Sequence, residues 1–172
     1  MPKSLFALAL FLVFAGGVGA TTPGDPLFAI TEQTRCPVCG MLVAKYPLWQ
    51  TQVKLSDGST AAFDGVKDMA AYVFTPQAFG AKEGAAVTEI VVKDYYSQRW
   101  IDGKSAWYVL GSDVLGPMGH ELIPFADKTE AETFLKDHRG SRLLAHAEIS
   151  RELIEELRRG HKMKHHGAKT TP

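Results

Sequence analysis

From Gln50 to Leu55 polar and apolar residues alternate, with Thr51, Val53 and Leu55 on one face, the period-two signature of a strand. Ser56-Asp57-Gly58-Ser59 is turn-forming, and Thr60 to Phe63 returns as a second strand. Val66, Met69, Ala70 and Val73 then recur at helical spacing. Asp64 stands where an N-cap belongs, and the helix must end near Phe74, before Pro76. Residues 76–86, rich in Gly and Ala, read as a loop, and Val87 to Val92 reads as a third strand. Trp100 to Val109 has the pattern of a hairpin turning near Asp102-Gly103.

The same order then recurs. Glu121 to Phe125 reads as a strand, Asp127 with Glu130 as a capping box, and Thr129 to Asp137 as a helix. Aligning Phe63 with Phe125 places Met69 over Ala131 and Tyr72 over Phe134. Cys39-Gly40-Met41 leads the first unit and Pro117-Met118-Gly119 the second. Two strand–strand–helix units packed together predict an α+β fold. Beyond Gly140 a short apolar stretch leads to a charged helix, about Ala147 to Arg159, with Ile149, Leu153, Ile154 and Leu157 as its apolar stripe. Gly160 is expected to end it, leaving a polar tail.

The start of the chain reads differently. Lys3, an unbroken apolar run from Leu5 to Phe14, and the small residues Gly16 to Ala20 describe an export signal cleaved before Thr21. The run is far shorter than the roughly 20 residues a membrane-spanning helix needs. With no cysteine before Cys36, attachment of lipid to an N-terminal cysteine is not expected. The whole chain carries 19 basic and 19 acidic residues, and its mature part 18 and 19. That balance excludes the basic footprint of a nucleic-acid binder. Two cysteines are too few for a disulfide scaffold or a four-thiolate zinc site.

Those cysteines, in Cys36-Pro37-Val38-Cys39-Gly40-Met41, are the strongest chemical signal. A C-x-x-C pair brings two sulfurs within reach of one ion or of each other. A thioredoxin-type redox pair should follow an apolar strand and open a helix, whereas Glu32 to Arg35 is polar and Pro47 follows soon after. A soft-metal site needs only one or two further soft donors, and a structural disulfide remains open. Met41 supplies a thioether, and Met118, in the small-residue loop Gly116-Pro117-Met118-Gly119-His120, supplies another, with His120 beside it. Thiolate and thioether together select Cu(I). His161, Met163, His165 and His166 put four more donors into the tail, suited to capturing copper without forming a preorganised site. Asp64 reads first as a helix cap.

Cys39-Gly40-Met41, the Asp57-Gly58 turn, Phe63-Asp64 before a helix, Trp107-Tyr108-Val109, Gly116-Pro117-Met118-Gly119 and Phe125 before a helix resemble the nitrous oxide reductase accessory protein family (NosL), over about residues 35–145. The resemblance implies two similar strand-strand-helix-strand units, in a fold shared with the organomercurial lyase core. It implies a periplasmic, non-enzymatic Cu(I) metallochaperone with Cys39, Met41 and Met118 as ligands. The implied partner is a copper-accepting cuproprotein, nitrous oxide reductase, or its membrane transport complex. Cys36 departs from members with one thiol, adding either a ligand or disulfide control. Residues 1–20 are thus read as an export signal, 21–34 as an extended leader and 35–145 as the copper-binding domain. Residues 146–160 form the charged helix and 161–172 the tail. Two enzymatic readings compete: a thiol–disulfide oxidoreductase using Cys36 and Cys39, and an organomercurial lyase using both with Asp64.

Overall fold

The computed structural model describes residues 25–166, with side chains through residue 160. The export signal, the start of the leader, the end of the tail and the side chains of His161, Met163, His165 and His166 lie outside the described residues.

Strands β1 (Thr51–Leu55) and β2 (Thr60–Phe63) form a hairpin, helix α1 (Val66–Phe74) follows, and β3 (Val87–Lys93) returns antiparallel on the other side of β1. β4 (Trp100–Asp102) completes a sheet of order β2-β1-β3-β4. The chain then repeats the pattern. β5 (Trp107–Gly116) pairs with β6 (Gly119–Phe125), helix α2 (Lys128–Asp137) crosses, and β7 (Arg142–Ala145) pairs with β5 in a sheet of order β6-β5-β7. Thr51 lies opposite Phe63 and Val92, while Trp107 lies opposite Phe125 and Ala145. The two units are therefore in one register as well as one topology, in an α+β fold. The aligned aromatics make the same contact: Phe63 and Tyr72 have ring centroids 5.2 Å apart, and Phe125 and Phe134 5.0 Å apart.

Period-two burial explains how the second sheet is covered. Val109, Ile123 and Phe125 meet Ala131 and Phe134 of α2 in one cluster. Tyr108, Leu110, Leu122 and Leu144, on the opposite face, join α1 and the first sheet in the larger one. β1 is buried on both faces: Gln52 has no exposed surface because its amide pairs with the leader, accepting from Leu27 N–H at 2.7 Å and donating to Phe28 O at 2.9 Å.

Three local expectations change. Trp100 to Val109 is not a hairpin, because β4 belongs to the first sheet and β5 to the second. Gly103 pins the crossing, donating to Ile90 O at 2.8 Å and accepting from the Tyr108 hydroxyl at 2.6 Å. A Cβ at Gly103 would lie 2.5 Å from Ile90 Cγ2, so Gly103→Ala should destabilise the fold by about 1–3 kcal/mol, lowering the thermal midpoint. The last helix, α3, runs Arg151–His166 and passes through Gly160 instead of stopping there. Nothing crowds that glycine, and with no proline in the rest of the helix the cost is only about 1 kcal/mol of helix propensity. Finally, Asp64 does not cap α1: the N-cap is Gly65, without a side-chain cap. In the second unit Asp127 caps α2 as expected, accepting from Thr129 and Glu130 N–H.

Candidate metal centre

The cysteines sit on a small closed loop. Arg35 and Leu42 bridge its base, Cys36 N–H donates to Met41 O at 2.9 Å, and Gly40 N–H donates back to Cys36 O at 2.8 Å. Gly40 takes φ +81°, a left-handed conformation that favours glycine. Arg35 ties the loop from outside, donating from Nη1 to Gly40 O at 2.8 Å. The closure brings both sulfurs to one side, against the start of α1.

There each thiol meets its own carboxylate. Cys39 Sγ donates to Asp64 Oδ1 at 3.1 Å and Cys36 Sγ to Asp68 Oδ2 at 3.6 Å. The ligand atoms of Cys36, Cys39, Asp64 and Asp68 all lie within 4.8 Å of one another. Cys36 is buried, as are both aspartates, while Cys39 is half-buried and gives the cluster its opening. The hydrogen bond with Cys36, then burial, push the Cys39 thiol well above the usual thiol range; Asp68 and Asp64 add to this and a backbone bond at Met41 opposes it. Asp64 Oδ2 is buried without a hydrogen-bond partner. An orphaned carboxylate oxygen beside two thiols fits a cation that displaces the thiol protons, and two sulfurs make the donor set soft.

The remaining sequence-derived candidates divide. Met41 lies in the cysteine loop, half-buried. Met118 occupies a two-residue hairpin turn, Gly116 pairing with Gly119. Buried Lys67 of α1 holds that turn, Nζ donating to Met118 O at 2.8 Å and to His120 O at 2.9 Å. His120 is exposed and outside the four-donor cluster. The sequence alone does not point to Asp68, and it reads Asp64 first as a helix cap, placing it with the cysteines only in the lyase alternative. Asp64 lies before the Gly65 N-cap and Asp68 in the first turn of α1, so no helical spacing in the sequence pairs them.

The NosL family model matches residues 26–154. The chain belongs to the NosL family. Among NosL relatives, the copper-binding lipoprotein of Stutzerimonas stutzeri is 27% identical over 136 residues, covering 74% of this chain and 68% of its own. The copper-binding lipoprotein NosL of Achromobacter cycloclastes is 30% identical over 138 residues, covering 73% and 68%. The crystal structure of the copper chaperone NosL from Shewanella denitrificans shares the fold, with a TM-score of 0.63 at 24% identity, over 76% of this chain and 99% of that one.

Proposed function

We propose that this NosL-family chain is an exported, periplasmic Cu(I) metallochaperone that hands copper to a cuproenzyme, nitrous oxide reductase being the expected acceptor. The observation that carries the reading is the cluster of two thiols with two buried carboxylates, one thiol half-exposed at its mouth. The copper-binding names of its relatives point to the same cargo. Cys36 and Cys39 are the primary donors, and Met41 and Met118 the thioethers that hold copper softly enough to release. Transfer runs by ligand exchange through Cys39, the accessible sulfur. His120 and the donors at His161, Met163, His165 and His166 serve capture or exchange. Among the described residues, no helix is long and apolar enough to cross a membrane.

Titrating the reduced protein with Cu(I) against a competing chelator should show one tightly held ion, and the loaded protein should restore activity to copper-free nitrous oxide reductase. Copper that stays with the chelator at equimolar protein sinks the proposal. Because Cu(I) replaces thiol protons, binding should also tighten as pH rises from 6 to 8.

A redox enzyme needs an attacking cysteine with a lowered pKa, often at a helix N-terminus. Here Cys36 is buried and neither cysteine stands at the start of a helix. This favours copper over thiol exchange. The lyase reading does gain Asp64 beside both thiols, and failure to release mercury from phenylmercury removes it.

A further inference from the structure

The second sheet and the first helix are joined by a buried lysine whose task belongs neither to the core nor to the thiols. Lys67 is 2% exposed. A lysine so placed ordinarily spends its ammonium on a carboxylate. Glu121 is the buried carboxylate of β6 nearest in role, yet its Oε1 accepts from two backbone N–H groups, Lys67 at 2.6 Å and Leu122 at 2.9 Å. The ammonium instead donates to the carbonyls of Met118 and His120, on both sides of Gly119, which has φ +85°. One charged side chain therefore holds one turn, the turn that carries Met118.

That turn is held against the part of α1 that faces the thiols. Asp64 and Asp68, the partners of Cys39 and Cys36, lie three residues before Lys67 and one after it. A Cβ added at Gly65 would strike the Glu121 carboxylate, and one at Gly116 would lie 3.2 Å from Glu121 Cβ. Gly65 and the Met118 turn thus pack on the same glutamate. The arrangement is not a requirement of the strand–strand–helix unit. With Phe63 aligned on Phe125, the residue matching Lys67 in the second unit is Thr129, which is exposed.

We propose that Lys67 is a positioning residue that latches the Met118 turn beside the Cys36–Cys39 centre, so that the Met118 thioether reaches the bound ion. The latch rests on the Cu(I) reading above and deepens it. Lys67 touches no metal itself. Its hydrogen bonds fix where the turn stands, and an unlatched turn swings on Gly116 and Gly119.

The test uses the full chain with 13C-methyl methionine, reduced, titrated with Cu(I) against a chelator. In the wild-type protein the Met118 methyl resonance should shift on copper loading. Lys67→Met should remove that shift and weaken binding roughly 10–100-fold, as loss of an outer-sphere partner does. Met118→Ala should cost the same, the double variant no more than either single one, and Lys67→Arg, which keeps the donors, should recover most of the loss. Losses that multiply in the double variant, or a Met118 response that survives Lys67→Met, overturn the latch. If Lys67→Met does not fold, the wild-type spectrum decides: a Met118 methyl silent to copper overturns the proposal. Failure of the copper reading is distinct, because the wild-type protein would then bind no Cu(I), whereas a failed latch leaves binding that Cys39→Ser abolishes.

Discussion

Exchanging Cys39 for serine should weaken Cu(I) binding roughly a thousandfold, about 4 kcal/mol, in competition with a chelator under reducing conditions. The hydroxyl keeps the size of the thiol and its hydrogen bond to Asp64 but replaces a soft, ionisable donor with a hard one. Cys36→Ser should cost as much if Cys36 is a ligand, and far less if it acts as a redox partner. Cys36 is 1% exposed within the core, so its variant needs a thermal melt to separate lost binding from lost packing. Asp64→Asn should weaken binding less, roughly 10–100-fold, because it alters what orients and balances the thiolates. It should leave the metal-free protein at least as stable, since the buried, unpartnered Oδ2 is a cost in the empty fold. Wild-type copper affinity in Cys39→Ser would refute the site. A metal-free Asp64→Asn protein that melts well below wild type would make Asp64 a structural residue.

The strands and helices were legible because their signals are local. Phe63 and Phe125 announce the repeat, and the aromatics at Tyr72 and Phe134 sit at the same helical offset in both units. The cysteine loop was equally plain, since Gly40 and the C-x-x-C spacing close it without help from the rest of the chain. What the sequence hid is tertiary. The turn at Asp102–Gly103 looks like a hairpin, but β4 pairs with β3 and β5 with β6 and β7, partners distant in the pattern, and Gly103 packs against Ile90 where the chain crosses. Asp64 has the position of a cap, but Glu121 accepts the Lys67 N–H in the first turn of α1 from 54 residues away, and Asp64 accepts from Cys39 instead. Asp68 reads as the solvent side of an amphipathic helix until the cysteine loop packs onto it. Charges that are buried because of a partner distant in sequence leave no mark in hydrophobic periodicity.

Glu121 carries the largest expected effect on the fold. Glu121→Ala should cost about 3–5 kcal/mol, because it truncates a buried side chain and leaves a cavity between α1 and β6. It also leaves the Lys67 and Leu122 N–H groups without their acceptor. Burial pushes the Glu121 carboxyl up to about 8, against the opposing pull of the Lys67 charge and the two N–H donors, with Asp68 adding to the rise. The unfolded chain releases that proton near 4.5. Between these values the folded state holds a proton the unfolded state has lost, so raising the pH favours unfolding. The contribution is complete below pH 4.5 and is lost as pH rises through about 8. Denaturant unfolding of the metal-free protein should therefore show stability falling from pH 5 to pH 8. Glu121→Gln keeps an acceptor for the backbone and abolishes the titration, so its stability should be much flatter over the same range. An equal slope in both proteins would mean that the pH response belongs to another group, and a wild-type stability that rises with pH would mean that Lys67 holds Glu121 ionised throughout.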